Sequence, residues 1–135
     1  MNYNKPFNFL KKLPQKLNSF YKKKSNSGIK VDNKSKSKKD FDPVTNFDKA
    51  FEKYIRSLIN KKFPKDAIIG EEFSDKFSNN NYKWSVDPID GTRAFVIGAP
   101  TWSNLISLSF NEKSLVGFSY DIFSLATSGL YSNDS

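Results

Sequence analysis

An apolar stripe in the middle of the chain constrains the fold more than any other sequence feature. Its members recur every three or four residues and are Phe47, Phe51, Tyr54, Ile55, Leu58 and Ile59. This spacing predicts an amphipathic helix. Thr45 followed by Asp48 resembles a capping box at the start of the helix, and Phe63-Pro64 closes the pattern. A helix with one apolar face must be covered, so we expect a layered fold.

Two short strands are predicted after this helix, and each leads into acidic residues. Residues 67–70 form a brief apolar run that is typical of a buried strand. Residues 82–86 alternate between aromatic or apolar and polar side chains, which is the period of a second strand. The acidic residues that follow these two strands are Glu71, Glu72, Asp87 and Asp90. Two strand ends therefore present carboxylates.

The remaining sequence predicts more strands. Residues 105–110 and 115–120 read as paired strands joined around residues 111–113, and residues 125–131 read as a weaker third strand. Together with the helix, these segments predict an α/β fold of the layered α+β kind. Its sheet should be mixed or antiparallel, with flanking helices.

The positive charge of the chain is concentrated in its first 41 residues. This segment holds 12 Lys and 2 Asp, whereas the other 94 residues hold 10 basic and 12 acidic side chains. We treat 1–41 as a basic leader that is partly disordered or helical. Within it, four apolar residues have helical spacing, and we expect Pro14 to begin the second half of that helix. These residues are Leu10, Leu13, Leu17 and Phe20.

A lysine-rich leader can bind nucleic acid or an anionic membrane. It contains no Arg, however, and no recognisable nucleic-acid-binding motif. We therefore favour a solvated arm whose helix packs on the rest of the protein, and we expect neither a membrane nor a nucleic-acid partner. No apolar stretch is long enough for a signal peptide or a bilayer span, so a cytoplasmic location is the default.

The chain contains neither histidine nor cysteine. This composition excludes a Ser-His-Asp triad, a cysteine nucleophile, a phosphohistidine intermediate and a zinc finger. Any metal ion must be held by oxygen ligands, which favours a hard cation such as magnesium, manganese or calcium.

The four carboxylates at the strand ends are the candidate metal ligands. Like charges that converge in a partly desolvated cleft repel one another unless a counter-charge is present. A divalent cation is the natural partner for several oxygen atoms that meet at one point. Any one of these residues alone would be an ordinary surface acid, and the metal site is predicted from the group.

The segment from Asp87 to Thr92 reads as one functional unit. Pro88 stiffens the turn so that the carboxylates of Asp87 and Asp90 and the carbonyl of Ile89 can converge on neighbouring ions. Gly91 allows the backbone to approach an anion, and the amides of residues 91 and 92 can receive phosphate oxygens. Two ions about 4 Å apart would hold the phosphate and activate a water, so no covalent nucleophile is required.

From about Asp42 to about Leu108 the chain resembles the inositol monophosphatase superfamily. Three blocks in the family's order and spacing carry the likeness, namely Asp42-Pro43-Val44-Thr45 with Asp48 and Glu52, Phe63-Pro64 with Ile69-Gly70-Glu71-Glu72, and Trp84-Ser85-Val86-Asp87-Pro88-Ile89-Asp90-Gly91-Thr92. The resemblance implies the fold of that superfamily and of fructose-1,6-bisphosphatase, with residues 42–135 as an incomplete N-terminal domain.

The resemblance also implies a role for each matched residue. The metal ligands would be Glu71, Asp87, the carbonyl of Ile89 and Asp90. Glu71 and Thr92 would orient the attacking water, and Asp48 would support Thr92. Asp90, Gly91 and Thr92 would lie against the substrate phosphate. Thr45 and Asp48 are equally consistent with simple helix caps, and Glu72 is kept only as a residue that supports the ligands.

The implied activity is hydrolysis of a small phosphorylated metabolite, with Mg2+ as cofactor and Mn2+ as the alternative. The segment Gly91–Pro100 is most similar to the histidinol-phosphatase branch, and Arg93 either contacts substrate or forms a surface ion pair. Inositol or polyol phosphates, 3′-phosphoadenosine nucleotides and sugar bisphosphates are alternative substrates. A basic nucleic-acid-binding protein and an inactive remnant are alternatives of other classes.

The family pattern continues beyond Ser135 with another metal-binding aspartate and the residues that recognise the organic part of the substrate. We therefore expect a fragment or truncated product with weak metal binding and little activity on its own. A full-length member would be expected to form a homodimer.

Overall fold

The computed structural model describes residues 4–25, 31–33, 43–90, 103–121 and 126–132. Two helices and seven strands lie within these ranges. In chain order they are α1 (Asn4–Ser25), β1 (Val31–Asn33), β2 (Pro43–Thr45), α2 (Asn46–Lys62), β3 (Ala67–Gly70), β4 (Tyr82–Asp90), β5 (Ser103–Phe110), β6 (Lys113–Asp121) and β7 (Ala126–Ser132).

Five of the strands form one sheet, in the order β3-β4-β5-β6-β7. β3 pairs with β4 in parallel, and the three other pairings are antiparallel. Of the two predicted alternatives, a mixed or an antiparallel sheet, the structure therefore has the mixed one. The predicted strands over 67–70, 105–110, 115–120 and 125–131 are confirmed, with small shifts at their ends. The turn between β5 and β6 places Asn111 and Glu112 at φ 48° and 66°, as a tight hairpin turn requires.

β4 continues further than the alternating pattern indicated, because it includes Asp87 and ends at Asp90. Its pairing with β5 is shifted between these two aspartates. Pro88 lies inside the shift and has no N–H to donate to a neighbouring strand, which explains why the ladder is interrupted there. The irregularity separates the two predicted metal ligands along an otherwise extended strand.

A second, two-stranded sheet joins the leader to the remainder of the chain. β1 pairs with β2 in antiparallel fashion, with Val31 opposite Thr45. The residue before a proline avoids the helical conformation, so residues 42–45 are predicted to be an extended or a turn segment, and β2 corresponds to the extended alternative. β1 was not predicted, because three residues carry too short a pattern. The division at residue 41 stays a prediction.

α1 is one continuous helix that contains Pro14. The expectation that Pro14 would begin a second helical segment is wrong. A proline inside a helix costs about 3 kcal/mol because one backbone hydrogen bond is lost. Leu10, Leu13 and Leu17 are 0–1% exposed, and burial of each contributes about 1.5–3 kcal/mol, which outweighs that cost.

Both helices pack on the same face of the five-stranded sheet. The predicted stripe of α2 buries Phe47, Phe51, Ile55 and Ile59. From the sheet, this core receives Ile68, Trp84, Val86, Ile106, Leu108, Leu115, Val116 and Phe118. The two helices also touch each other, since the rings of Phe20 and Tyr54 stack with centroids 4.6 Å apart. The predicted packing of the leader helix on the protein body is confirmed.

Trp84 is fully buried and is fixed by a polar contact in the core. Its indole Nε1 donates to Oδ2 of Asp66 at 2.9 Å, and Nδ2 of Asn80 donates to Oδ1 of the same carboxylate at 2.7 Å. Asp66 thereby ties the start of β3 to β4. Among the described helices, none is long and apolar enough to cross a membrane.

Candidate metal and phosphate site

The parallel pairing of β3 and β4 brings two predicted metal ligands to one edge of the sheet. Gly70 lies opposite Val86 in the register. Because the strands run in the same direction, the next residue of each chain segment, Glu71 and Asp87, reaches the same level. Neighbouring strand ends are where ligand sites commonly form in α/β folds.

Both carboxylate residues line a cavity of about 420 Å3. The side chains of Trp84 and Val86 face the helices, so those of Ser85 and Asp87 face the opposite side of the sheet. The other lining residues are Ile69, Gly70, Ser85, Val86, Leu105, Ile106, Ser107, Phe118 and Ser119. The cavity is therefore an apolar and serine-lined depression with carboxylates at its rim.

The donor set fits a hard divalent cation. Glu71 is exposed and Asp87 is partly buried, so a metal ion from solution can reach both side chains. Over the ranges that the structure describes, His, Cys, Asp and Glu form no group of three that could hold a metal ion. Two carboxylates are present at the cavity, and further oxygen ligands would have to come from the end of β4 or from residues after it.

The other predicted ligands lie at the limit of the described chain. Ile89 and Asp90 belong to the backbone of β4, and Asp90 pairs with Ser103. Gly91 and Thr92 lie outside the described residues, as does Arg93. The assignment of these residues to metal and phosphate stays a prediction.

Asp48 lies in the first turn of α2 and is 3% exposed. A carboxylate at this position is stabilised by the positive end of the helix dipole. α2 is followed after four residues by β3, so helix and strand run in opposite directions. The N-terminus of α2 therefore lies at the same edge of the sheet as the ends of β3 and β4. Both roles given to Asp48, a helix cap and a support for Thr92, stay predictions.

Glu52 is a residue whose place near the site was not worked out from the sequence. It is fully buried one turn after Asp48, and its carboxylate accepts hydrogen bonds from the backbone amides of Glu72 and Phe73. The available signal was the spacing Asp48, Glu52, Arg56, which places three charged residues in a row along one side of the helix, beside its apolar stripe.

Comparison with known proteins extends the resemblance beyond the blocks quoted above. The sequence profile of the Inositol monophosphatase family matches residues 8–133. The histidinol-phosphatase of Chlorobaculum parvum is 47% identical over 81 residues, which cover 60% of this chain and 31% of that protein. The chain thus spans only about a third of this curated relative.

Solved structures agree with the fold. The Staphylococcal IMPase-I structure complexed with products superposes with a TM-score of 0.81 at 19% identity, covering 100% of this chain and 52% of that chain. An IMPase/NADP phosphatase complexed with Mg2+ and phosphate gives a TM-score of 0.66 at 22% identity over 93% of this chain and 52% of that one. Because the sequence profile matches nearly the whole chain, including α1 and the strands after Leu108, the chain belongs to the inositol monophosphatase family.

Proposed function

We propose that this chain provides the metal- and phosphate-binding part of a phosphomonoesterase that depends on a divalent cation. The observation that carries the proposal is the parallel β3-β4 pair, which brings Glu71 and Asp87 to one cavity. Mg2+ is the proposed cation, because the chain offers only hard oxygen ligands and a structurally similar family member binds Mg2+ together with phosphate.

When bound, the divalent cation would polarise a phosphoryl oxygen and lower the pKa of a coordinated water. The residues proposed to hold it are Glu71, Asp87, Asp90 and the carbonyl of Ile89. Glu71 also orients the attacking water, together with the hydroxyl of Thr92. The backbone N–H groups of residues 91 and 92 donate hydrogen bonds to phosphate oxygens, and Asp90 lies beside them.

Asp48 completes the proposed machinery by accepting a hydrogen bond from Thr92 and so directing that hydroxyl towards the water. The position of α2 supports this role, because its first turn lies at the edge of the sheet where β3 and β4 end. No protein nucleophile is used, in agreement with the absence of histidine and cysteine.

The proposed substrate is a small phosphorylated metabolite, with histidinol phosphate as the first choice. The support is the similarity to a histidinol-phosphatase at 47% identity and the sequence of residues 91–100. Inositol or polyol phosphates, sugar bisphosphates and 3′-phosphoadenosine nucleotides are the alternatives. A panel of these compounds, with phosphate release as the measurement, separates them.

Metal binding gives the most direct test of the proposed site. We expect calorimetric titration of the purified chain with Mg2+ and Mn2+ to show uptake that Glu71→Gln and Asp87→Asn each weaken by at least tenfold. Asp90→Asn should remove any metal-dependent phosphate release. Glu112→Gln is the matched control, because this carboxylate is 81% exposed on the β5-β6 turn, away from the cavity. Unchanged uptake in the Glu71 and Asp87 variants would refute the site.

A second function, binding of a polyanion, is favoured by one feature of the helical layer. α1 contains 7 lysines and no acidic residue. In α2 both acidic residues, Asp48 and Glu52, are buried. The helices therefore present lysines as their exposed charges. Retention on a nucleic-acid column that falls with salt, and that disappears when the exposed lysines of α1 become glutamine, would support this function.

Cellular location and oligomeric state are also proposals. We propose a cytoplasmic enzyme that forms a homodimer in its full-length form, and light scattering of the purified full-length protein tests the oligomeric state.

A further inference from the structure

We propose that Glu52 is a positioning residue that fixes the backbone of the loop carrying Glu71. The inference rests on the proposed function, in which Glu71 is a metal ligand. Glu52 is 0% exposed, yet no part of the proposed mechanism uses it. A buried carboxylate is costly unless its oxygen atoms are hydrogen-bonded, so its contacts reveal what it does.

The carboxylate of Glu52 accepts two hydrogen bonds from the loop that follows β3. The backbone N–H of Glu72 donates to Oε1 at 3.0 Å, and the N–H of Phe73 donates to Oε2 at 3.2 Å. The peptide bond between Glu71 and Glu72 is planar, so holding the N–H of Glu72 also holds the carbonyl of Glu71. Glu71 is therefore fixed from its C-terminal side.

The N-terminal side of Glu71 is fixed by the sheet. Gly70 pairs with Val86 in the parallel register of β3 and β4. Glu71 thus lies between two anchors, one in the sheet and one on α2. A ligand held on both sides needs less reorganisation when it binds a metal ion.

Arg56 holds the same loop through its carbonyl groups. Its Nε donates to Oε2 of Glu52 at 2.9 Å, while Nη1 donates to the carbonyl of Ser74 at 2.9 Å and Nη2 to that of Phe73 at 3.1 Å. The guanidinium also lies 5.9 Å from the ring centre of Phe73. Glu52 and Arg56 are four residues apart, so one side of α2 binds both the amides and the carbonyls of the loop.

Gly70 permits this close approach. A Cβ atom at residue 70 would lie 2.5 Å from Cδ and 2.6 Å from Oε1 of Glu52, with Oε2 also in contact. No side chain fits there while the carboxylate keeps its place. The sequence Gly70-Glu71-Glu72 thus combines a residue that admits Glu52, a metal ligand and an amide donor to Glu52.

The test combines metal affinity with amide hydrogen exchange on the purified 135-residue chain, using MnCl2 as the probe. Glu52→Gln keeps the shape of the side chain but places an N–H2 group where an acceptor is needed. We expect it to weaken Mn2+ binding about 10- to 100-fold and to speed amide exchange at residues 72 and 73. Glu71→Gln shows whether the measured affinity belongs to this site, and Glu112→Gln should match the wild type.

Two further variants separate positioning from general stability. Ile59→Val lowers the midpoint of thermal unfolding through the core without touching the loop, and it should leave Mn2+ affinity unchanged. Arg56→Lys keeps the charge but loses the planar fork that binds Phe73 and Ser74, so it should weaken Mn2+ binding in the same direction as Glu52→Gln. Arg56→Lys also keeps the proposal testable if Glu52→Gln does not fold.

The outcomes are distinguishable. The first outcome is that the wild type binds Mn2+ through Glu71 and that the Glu52→Gln variant binds it equally well. This outcome refutes the positioning role and leaves the proposed function standing. If Glu52→Gln does not fold, Arg56→Lys takes its place in this comparison. If the wild type binds no Mn2+, or if Glu71→Gln has no effect, the proposed function fails and the positioning role fails with it.

Discussion

Gly70→Ala is expected to destabilise the chain strongly, because the added methyl group would meet the carboxylate of Glu52. The added Cβ would lie 2.5 Å from Cδ and 2.6 Å from Oε1 of Glu52, about 1 Å inside ordinary van der Waals contact. β3 is held by its register with β4, and the carboxylate is held by three donors. Neither side can move without loss of these contacts.

The expected magnitude follows from the contacts that must change. Overpacking of this kind costs about 1–3 kcal/mol, and loss of one hydrogen bond to a charged group costs about 1.5–3 kcal/mol. We therefore expect Gly70→Ala to lower the free energy of unfolding by about 3–5 kcal/mol. The free energy of unfolding of small domains is about 5–15 kcal/mol, so the variant would be close to unfolded only if the wild type lies at the lower end of that range.

The assay is urea unfolding followed by circular dichroism, arranged as a double-mutant cycle with Glu52→Ala. If the carboxylate is the obstacle, Gly70→Ala should cost less than about 1 kcal/mol once Glu52 is alanine, giving a coupling of at least about 2 kcal/mol. Ser57→Ala, at an exposed position on the same helix, should cost less than about 0.5 kcal/mol. Additive costs for the two variants would refute the close contact as the reason for glycine at residue 70.

Three further changes test the structure elsewhere. Asp66→Asn should lower the free energy of unfolding by about 2–4 kcal/mol in urea, because Trp84 Nε1 and Asn80 Nδ2 donate to different oxygens of Asp66 and asparagine keeps only one of them as an acceptor; a smaller loss than Asn80→Ala would contradict this. Pro14→Ala should raise the free energy of unfolding by about 1–3 kcal/mol by restoring a hydrogen bond inside α1, and a loss of stability would contradict the continuous helix. Glu112→Gly should raise the midpoint of thermal unfolding. Glycine relieves the backbone strain at a φ of 66°, which is worth about 1 kcal/mol, and this gain exceeds the contribution of the exposed ion pair with Lys83 that is lost. An unchanged or lower midpoint would contradict the turn geometry.

The parts of the fold that were predictable are those with a local pattern. α2 was predicted because its apolar residues repeat with the helical period, and the same residues form the core. The β5-β6 hairpin was predicted because two alternating segments flank a short polar turn. In both cases the elements are set by residues close together in sequence, so no knowledge of the remaining chain was needed.

The parts that were missed depend on contacts between distant residues. The parallel pairing of β3 with β4 was not specified, since either direction buries Ile68 and Trp84. Pro14 was expected to begin a second helical segment, because the local backbone preference of proline disfavours the interior of a helix. That preference takes no account of the stabilisation from burying three leucines of the same helix. The contact of Glu52 with residues 72 and 73 spans 20 and 21 positions, and a helix pattern contains no sign of it.

α2 connects the core to the candidate site, and its geometry explains how one helix can serve both. Its apolar face holds Phe51 and Ile55 against the sheet, while Asp48, Glu52 and Arg56 follow one another at intervals of four residues. Four residues advance a helix by about 6 Å, so these charged groups form a row along its axis. Glu52 lies at the end of β3, and Arg56 reaches the loop that leaves it. Asp48, one turn nearer the N-terminus, therefore lies towards the edge of the sheet where β3 and β4 end, and its support of the Thr92 hydroxyl stays a prediction.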